Sequence, residues 1–307
     1  MKQIIELAKT ENSEDWWNSL TRQAQLEYIK EHQNSRYKNK VKTLKQDKNP
    51  KDYKTLMQAK QDGIAIPPAW VNITYFGKDG QEGTGIIATG IDSKGRKQRI
   101  ETAAHRDSKI KEKHEKLRDF AEIDFPRIQN KLRKDALAGN EAAKVLYLIS
   151  KTGFRIGEKQ GAGEVKTYGA SSLEGQHISV EGDTVTFKFL GKKEVPQHHV
   201  IKDKVLASFF ENKKDNEKVF NVTVNSIRNA WKSYGGDKVH DIRSIVATNT
   251  AKKVIDKFDD VNSKKELKAL IKKAAEIASK KLGNNPSEAL KTYIDNAIFE
   301  SLIKKVA

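Results

Sequence analysis

Apolar positions along the chain change their period several times. From Trp16 to Tyr37 they recur at helical spacing, with Trp17, Leu20, Ala24 and Tyr28 in register and Ser19 placed to cap, which predicts one or two short amphipathic helices. Lys38 to Lys60 is rich in Lys, Asp and Gln and reads as a solvated helix or a loose connector. At Ile64 the period shortens. Pro67-Pro68-Ala69-Trp70 breaks any helix, Val71-Asn72-Ile73-Thr74-Tyr75-Phe76 alternates with β-branched and aromatic residues, and Gly77-Lys78-Asp79-Gly80 has turn chemistry. Gly85 to Gly90 predicts a second strand, and Gly95 a turn before a third. Beyond about residue 107 the spacing is helical again, in Ile110 to Phe120, Ile128 to Leu137 and Ala142 to Ile149, the last preceded by Gly139-Asn140 as stop and cap.

One interruption follows, between about Gln176 and Val200. His177-Ile178-Ser179-Val180, Gly182-Asp183 and Val185-Thr186-Phe187-Lys188-Phe189 read as strand, turn and strand, and a Gly191-Lys192 turn leads to a third extended segment. Helices resume near Lys204. The clearest spans Ser263 to Lys281: Ser263 and Glu266 form a capping box, Leu267, Leu270, Ile271, Ala274 and Ala278 share a face, and Gly283 ends it. Asn285-Pro286 then starts a last helix carrying Tyr293. The expected fold is α+β: a helical extension over 1–63 with no assigned role, a small β-rich N-terminal domain over 64–107, and a larger, mostly α-helical domain over 108–307 holding a three-stranded β meander. No internal repeat is visible.

Charge narrows the partners. The 307 residues include 58 Lys+Arg against 41 Asp+Glu, a net charge of +17, with a surplus of 5 in the first 107 residues and 12 beyond them. Basicity so distributed points to a polyanion rather than to a basic tail. Hydrophobic residues at 36% suffice for a core. The absence of Cys excludes disulfides, thiolate metal sites and cysteine nucleophiles and suits a reducing compartment. Met1-Lys2-Gln3-Ile4-Ile5-Glu6 becomes charged too early for a secretory signal, and no apolar run approaches the roughly 20 residues that span a bilayer. A soluble, cytoplasmic protein without a membrane partner is expected.

The candidate chemical residues carry little one at a time. Arg155 in Gly153-Phe154-Arg155-Ile156-Gly157 reads alone as a solvated arginine, Lys192 as a turn lysine, His240-Asp241-Ile242-Arg243 as a charged helical turn, and Tyr293 as a core aromatic. Their order carries more. Arginine in a Gly-flanked loop, lysine in a β-turn, His-x-x-Arg, a polar residue after Gly283 and a tyrosine near the end resembles the tyrosine-nucleophile DNA strand transferases, and most closely the small poxviral and bacterial type IB DNA topoisomerases. Ile66-Pro67-Pro68-Ala69-Trp70 and Asp92-Ser93-Lys94-Gly95-Arg96-Lys97-Gln98 resemble that family's two N-terminal signatures, and Phe154 to Ile178 aligns with the viral enzymes without a gap. The resemblance runs from about residue 64 onward and leaves the first 60 or so unexplained.

It implies Tyr293 as nucleophile, Arg155 and Arg243 as the two catalytic arginines, Lys192 in Phe189-Leu190-Gly191-Lys192 as the catalytic lysine, and Asn284 where the family carries histidine. His240 stands where the viral relatives have lysine and gives the form seen in tyrosine recombinases; a supporting phosphate contact or a share in proton transfer is expected. Lys94, Arg96, Lys97 and Arg99 are expected to touch DNA. The paired aromatics that follow this signature in the viral enzymes are here Arg99 and Glu101, so a site preference does not carry over. The resemblance also implies that the two domains close on duplex DNA from opposite sides, as a monomer.

The chemistry needs these residue types. Attack of a phenol oxygen on a phosphodiester spreads negative charge over the equatorial oxygens of an in-line transition state, and forked, permanently charged arginines stabilise it. The leaving 5′-oxygen must gain a proton as its bond breaks, which makes Lys192 the candidate acid. An ordinary phenol, with a pKa near 10, deprotonates more readily in a strongly positive site. The scheme uses no cofactor, neither metal nor ATP, because a 3′-phosphotyrosyl bond conserves the energy of the one it replaces. Asn284 can donate an N–H but never add charge. Two alternatives remain: a tyrosine recombinase or integrase, which would account for His240-x-x-Arg243, and an inactive basic DNA-binding protein.

Overall fold

Two separate hydrophobic cores, each closed by a three-stranded antiparallel meander, organise the chain. The computed structural model describes residues 50–93, 95–157, 166–211, 213–258 and 261–307. The helices expected over Trp16 to Tyr37, and Lys94, lie outside the described residues. The described residues fall into two compact units that divide between Lys116 and Leu117, inside a helix.

The smaller unit holds α1 (Pro50–Gln61), strands β1 (Val71–Tyr75), β2 (Ile86–Ile91) and β3 (Lys97–Glu101) in that order, and most of α2 (Ala103–Asp119). The polar stretch read as helix or connector is therefore α1 from Pro50 onward. Its Asp52 is 1% exposed and accepts the backbone N–H groups of Asn72 (2.9 Å) and Ile73 (2.8 Å), where the β1–β2 register slips. A carboxylate buried to satisfy two orphan amides pins the helix to the sheet. Trp70, from the Pro-Pro-Ala-Trp segment, packs on Gly90 of β2, where an added Cβ would lie 2.8 Å from the ring.

The larger unit is helical around its meander. Helix α3 (Phe125–Leu137) presents Phe125, Ile128, Leu132 and Ala136 at helical spacing, and α4 (Glu141–Thr152) begins where Asn140 accepts from Ala143 N–H at 3.0 Å. Strands β4 (Ile178–Glu181), β5 (Thr184–Gly191) and β6 (Val195–Lys202) form the expected meander, with Gly191 opposite Val195 at the tight end. The ring of Phe154 meets Phe187 and Phe189 of β5 edge-on, with centroids 5.3 and 5.0 Å apart, so the chain leaving α4 is anchored on the sheet. Helices α5 (Lys204–Ser208), α6 (Val224–Ser233), α7 (Asp241–Ile255) and α8 (Lys264–Leu282) complete the core. Trp231 of α6 is fully buried; truncating such a residue to alanine costs about 3–5 kcal/mol. The fold is α+β as the sequence pattern predicts. Among the described residues, no helix is long and apolar enough to cross a membrane.

Candidate active site

The end of α8 sets the site. Ser263 accepts from Glu266 N–H at 3.2 Å to start this helix, and Gly283, with φ +61, ends it. Gly283 N–H bonds to Lys280 O and Asn284 N–H to Ser279 O, the paired bonds of a Schellman turn. Asn284 is thereby delivered just past the helix end. Asn285 caps the next turn through Glu288 N–H at 2.7 Å, with Pro286 first inside it. The expected last helix is short: Pro286–Glu288 is α-helical, and Ala289–Tyr293 widens into a π-turn closed by Ile294 N–H to Ala289 O at 2.9 Å. Tyr293 is the last residue of that turn. Thr248 of α7 holds it from both sides, donating to Tyr293 O at 3.4 Å and accepting from Asp295 N–H at 2.9 Å. Asp295 in turn pairs with Arg118 at 2.9 Å.

Tyr293 is 3% exposed, and its hydroxyl meets charge. Arg155 Nη2 donates to it at 3.4 Å, His240 Nε2 lies 3.2 Å away, and the guanidinium carbon of Arg243 sits 5.1 Å from the ring centroid. Arg155 reaches this place because its loop is tied down: Phe154 N–H bonds to Thr152 Oγ1, and Ala170 N–H to Arg155 O. His240 begins α7 and Arg243 lies one turn on, so both face the same point. Arg243 is 2% exposed and donates to Gly153 O and, at 3.1 Å, to Leu282 O, which links the ends of α4 and α8. Burial, and next the nearby charge of Arg155, lower its pKa to about 10, so it stays charged at neutral pH.

Two further groups have polar capacity to spare. Among the described residues, neither the Oδ1 nor the Nδ2 of Asn284 has a hydrogen-bond partner although both atoms are buried, and the same holds for Arg243 Nε. Buried polar atoms are normally satisfied; the two N–H donors among these, Asn284 Nδ2 and Arg243 Nε, can donate to a phosphate oxygen. Lys192 differs, since it is exposed in the β5–β6 turn rather than gathered round the Tyr293 hydroxyl. The structure thus brings Tyr293, Arg155, His240 and Arg243 together and leaves Lys192 on the hairpin tip. Of the residues expected to touch DNA, Arg96 pairs with Asp92 at 2.7 Å and Arg99 with Glu101 at 2.8 Å, while Lys97 is exposed on β3. Thr248 has no signal in the sequence that marks it. Among the described residues, no group of three or more His, Asp or Glu is placed to hold a metal ion. A phenol hydroxyl set among fixed cations and N–H donors can attack an anionic ester whose developing charge those donors receive.

Residues 101–306 match the family described as eukaryotic DNA topoisomerase I, catalytic core. The DNA topoisomerase 1B of Acanthamoeba polyphaga mimivirus is 29% identical over 145 residues, 46% of this chain and 42% of that protein. The DNA topoisomerase 1B of Vaccinia virus (strain Copenhagen) is 25% identical over 258 residues, 79% of this chain and 81% of that protein. The match to the DNA topoisomerase 1 of Schizosaccharomyces pombe is 28% over 96 residues, only 12% of that protein. The matched region therefore spans less than half of the mimivirus relative and about four-fifths of the vaccinia one.

Proposed function

Since this chain belongs to the DNA topoisomerase I catalytic-core family, we propose that it relaxes supercoiled duplex DNA as a type IB enzyme, cutting and resealing one strand through Tyr293 without ATP or metal. The observation that carries this reading is the placement of the Tyr293 hydroxyl between Arg155 and His240, beside Arg243. Tyr293 Oη attacks the scissile phosphorus and gives up its proton, for which His240 Nε2, 3.2 Å away, is an acceptor. Arg155 and Arg243 receive the charge on the non-bridging oxygens, together with an N–H of Asn284. The bond from phosphorus to the 5′-oxygen breaks, and Lys192 protonates that oxygen. The products are a 3′-phosphotyrosyl enzyme and a 5′-hydroxyl. Rotation of the free end about the intact strand releases torsion, and the reverse steps reseal the bond. Lys97, Arg96 and Arg99 contribute to duplex binding from the smaller unit. Every group in this scheme comes from one chain, so a monomer suffices.

Plasmid relaxation in EDTA without ATP tests the activity. Wild type is expected to relax the plasmid and Tyr293→Phe to leave it supercoiled; a recombinase would leave a plasmid without its paired site untouched. A duplex nicked near the cleavage point should trap a covalent adduct that maps to Tyr293. Relaxation that survived Tyr293→Phe would end the nucleophile assignment.

A further inference from the structure

Gln197 stands where two parts of the site meet. It lies on β6 opposite Phe189, just beyond the Lys192–Glu194 turn, in which Lys193 (φ 62) and Glu194 (φ 56) both adopt left-handed backbone. Away from glycine that conformation costs about 1 kcal/mol or more per residue, so a hairpin that contains two such residues in succession depends on its surroundings. Its Nε2 donates to Val195 O and Pro196 O, each at 3.3 Å, directly after that turn. The same amide approaches Gly283 O at 3.5 Å, and Oε1 faces His199 Nε2 at 3.3 Å. Contact with both glycines is close. A Cβ added to Gly191 would lie 3.1 Å from Gln197 Cγ, and one added to Gly283 only 1.8 Å from Oε1. Gly191 immediately precedes Lys192, and Gly283 immediately precedes Asn284. His199, 2% exposed, is kept neutral chiefly because burial pulls its pKa down to about 3, so its ring adds no charge beside the amide.

We propose that Gln197 is a positioning residue for strand cleavage: its carboxamide locks the hairpin bearing Lys192 against the turn bearing Asn284 and so aims the proton donor at the leaving 5′-oxygen. It touches no reacting atom. The tip itself is exposed, whereas the Gln197 side chain is buried and braced on both sides. The proposal rests on Lys192 being the acid, and the experiment separates the two. Single-turnover cleavage of a nicked duplex is measured with an ordinary 5′-oxygen and with a bridging 5′-sulfur at the scissile bond. A thiolate leaves without a proton, because a thiol is far more acidic than an alcohol.

Gln197→Met keeps the volume and removes both polar ends. Its rate on the oxygen substrate is expected to fall about tenfold or more, and on the sulfur substrate to stay within about twofold of wild type, as for Lys192→Ala. Gln197→Glu, which keeps the acceptor and loses the donor, carries the same expectation and serves if the methionine variant does not fold. A melting curve and a DNA-binding titration alongside show whether the fold and affinity are intact. An unchanged oxygen rate, or an equal loss on both substrates, overturns the role of Gln197. If sulfur fails to restore Lys192→Ala itself, it is the acid assignment that falls.

Discussion

The ion-paired arginines of the smaller unit differ from the cations of the candidate site in the larger one. On the smaller unit, Arg96 is paired with Asp92, and both Arg99 and Lys109 with Glu101, at 2.7–2.8 Å. On the larger unit, Arg155, Lys192 and Arg243 have no carboxylate partner among the described residues, and Arg243 is buried against carbonyl oxygens instead. A paired arginine is held in one shape, and part of its field is cancelled before DNA arrives. An unpaired one, partly shielded from water, keeps its full attraction for the single phosphate placed before it. Net charge is therefore a poor guide to function unless it is known which cations are already neutralised. Arg96, Arg99 and Lys109 are held in carboxylate pairs, whereas Arg155, Lys192 and Arg243 are not.

The strongest way to break this contrast is to remove the unpaired cations. Arg155→Ala or Arg243→Ala is expected to lower single-turnover cleavage by about 10²–10³-fold, while duplex affinity changes by less than about threefold because distributed lysines carry it. Arg243→Lys should not restore the rate, since an ammonium cannot hold Gly153 O and Leu282 O in a fixed fork and still face the phosphate. A loss of binding equal to the loss of cleavage would place these arginines with the surface cations instead.

Asn284→His sharpens the comparison by adding a charge that comes and goes with pH. Asparagine does not titrate, whereas an imidazole at this position gains charge as pH falls through the range near 6.5. Cleavage by the variant relative to wild type is expected to rise several-fold between about pH 8 and pH 6; a flat ratio would mean that Asn284 does not touch the phosphate. On the smaller unit, Glu101→Gln releases Arg99 and Lys109. Its plot of log affinity against log salt should steepen by about one, while Lys97→Ala should make the plot shallower by about one. Weaker binding by Glu101→Gln would show that the ion pair shapes the arginine for contact rather than muting it.

The smallest effect concerns stability. His177 and His198 are held near pKa 4 and His199 near 3, in each case chiefly by burial, and all three belong to the larger unit. The unfolded chain takes up protons at these positions first, below about pH 6.5. Their contribution is therefore full above that pH and shrinks as it falls towards 4, by up to about 1.4 kcal/mol per pH unit for each histidine. The melting midpoint of the larger unit should drop between pH 7 and pH 5; a constant midpoint would contradict neutral burial of these rings.

Much of the scaffold is legible locally. Gly139-Asn140, Ser263-x-x-Glu266, Gly283 and Asn285-Pro286 each set an element boundary through atoms within a few residues, and the strand alternation around Gly182-Asp183 and Gly191 sets the meander. The order of Arg155, Lys192, His240, Arg243 and Tyr293 is visible in the sequence as well, through its resemblance to a known family. Other features could not. The pairing of Arg96 and Arg99, the brace of Thr248 and the contact of Gln197 with two glycines depend on side chains that meet through the fold.

Where elements start and stop, which faces are apolar, and which residue types are available for chemistry on a phosphate are written in the order of the amino acids alone. Those follow from backbone propensities, capping and periodicity, all of which act over a turn or two of chain. The tertiary structure sets the rest: Tyr293 ends a π-turn rather than riding mid-helix, its hydroxyl lies between Arg155, 138 positions away, and His240, 53 positions away, and the amide atoms of half-buried Asn284 are covered without a hydrogen-bond partner among the described residues. Distances of that kind are set by how whole helices pack, through dispersion and burial summed over the core, and no local pattern encodes them.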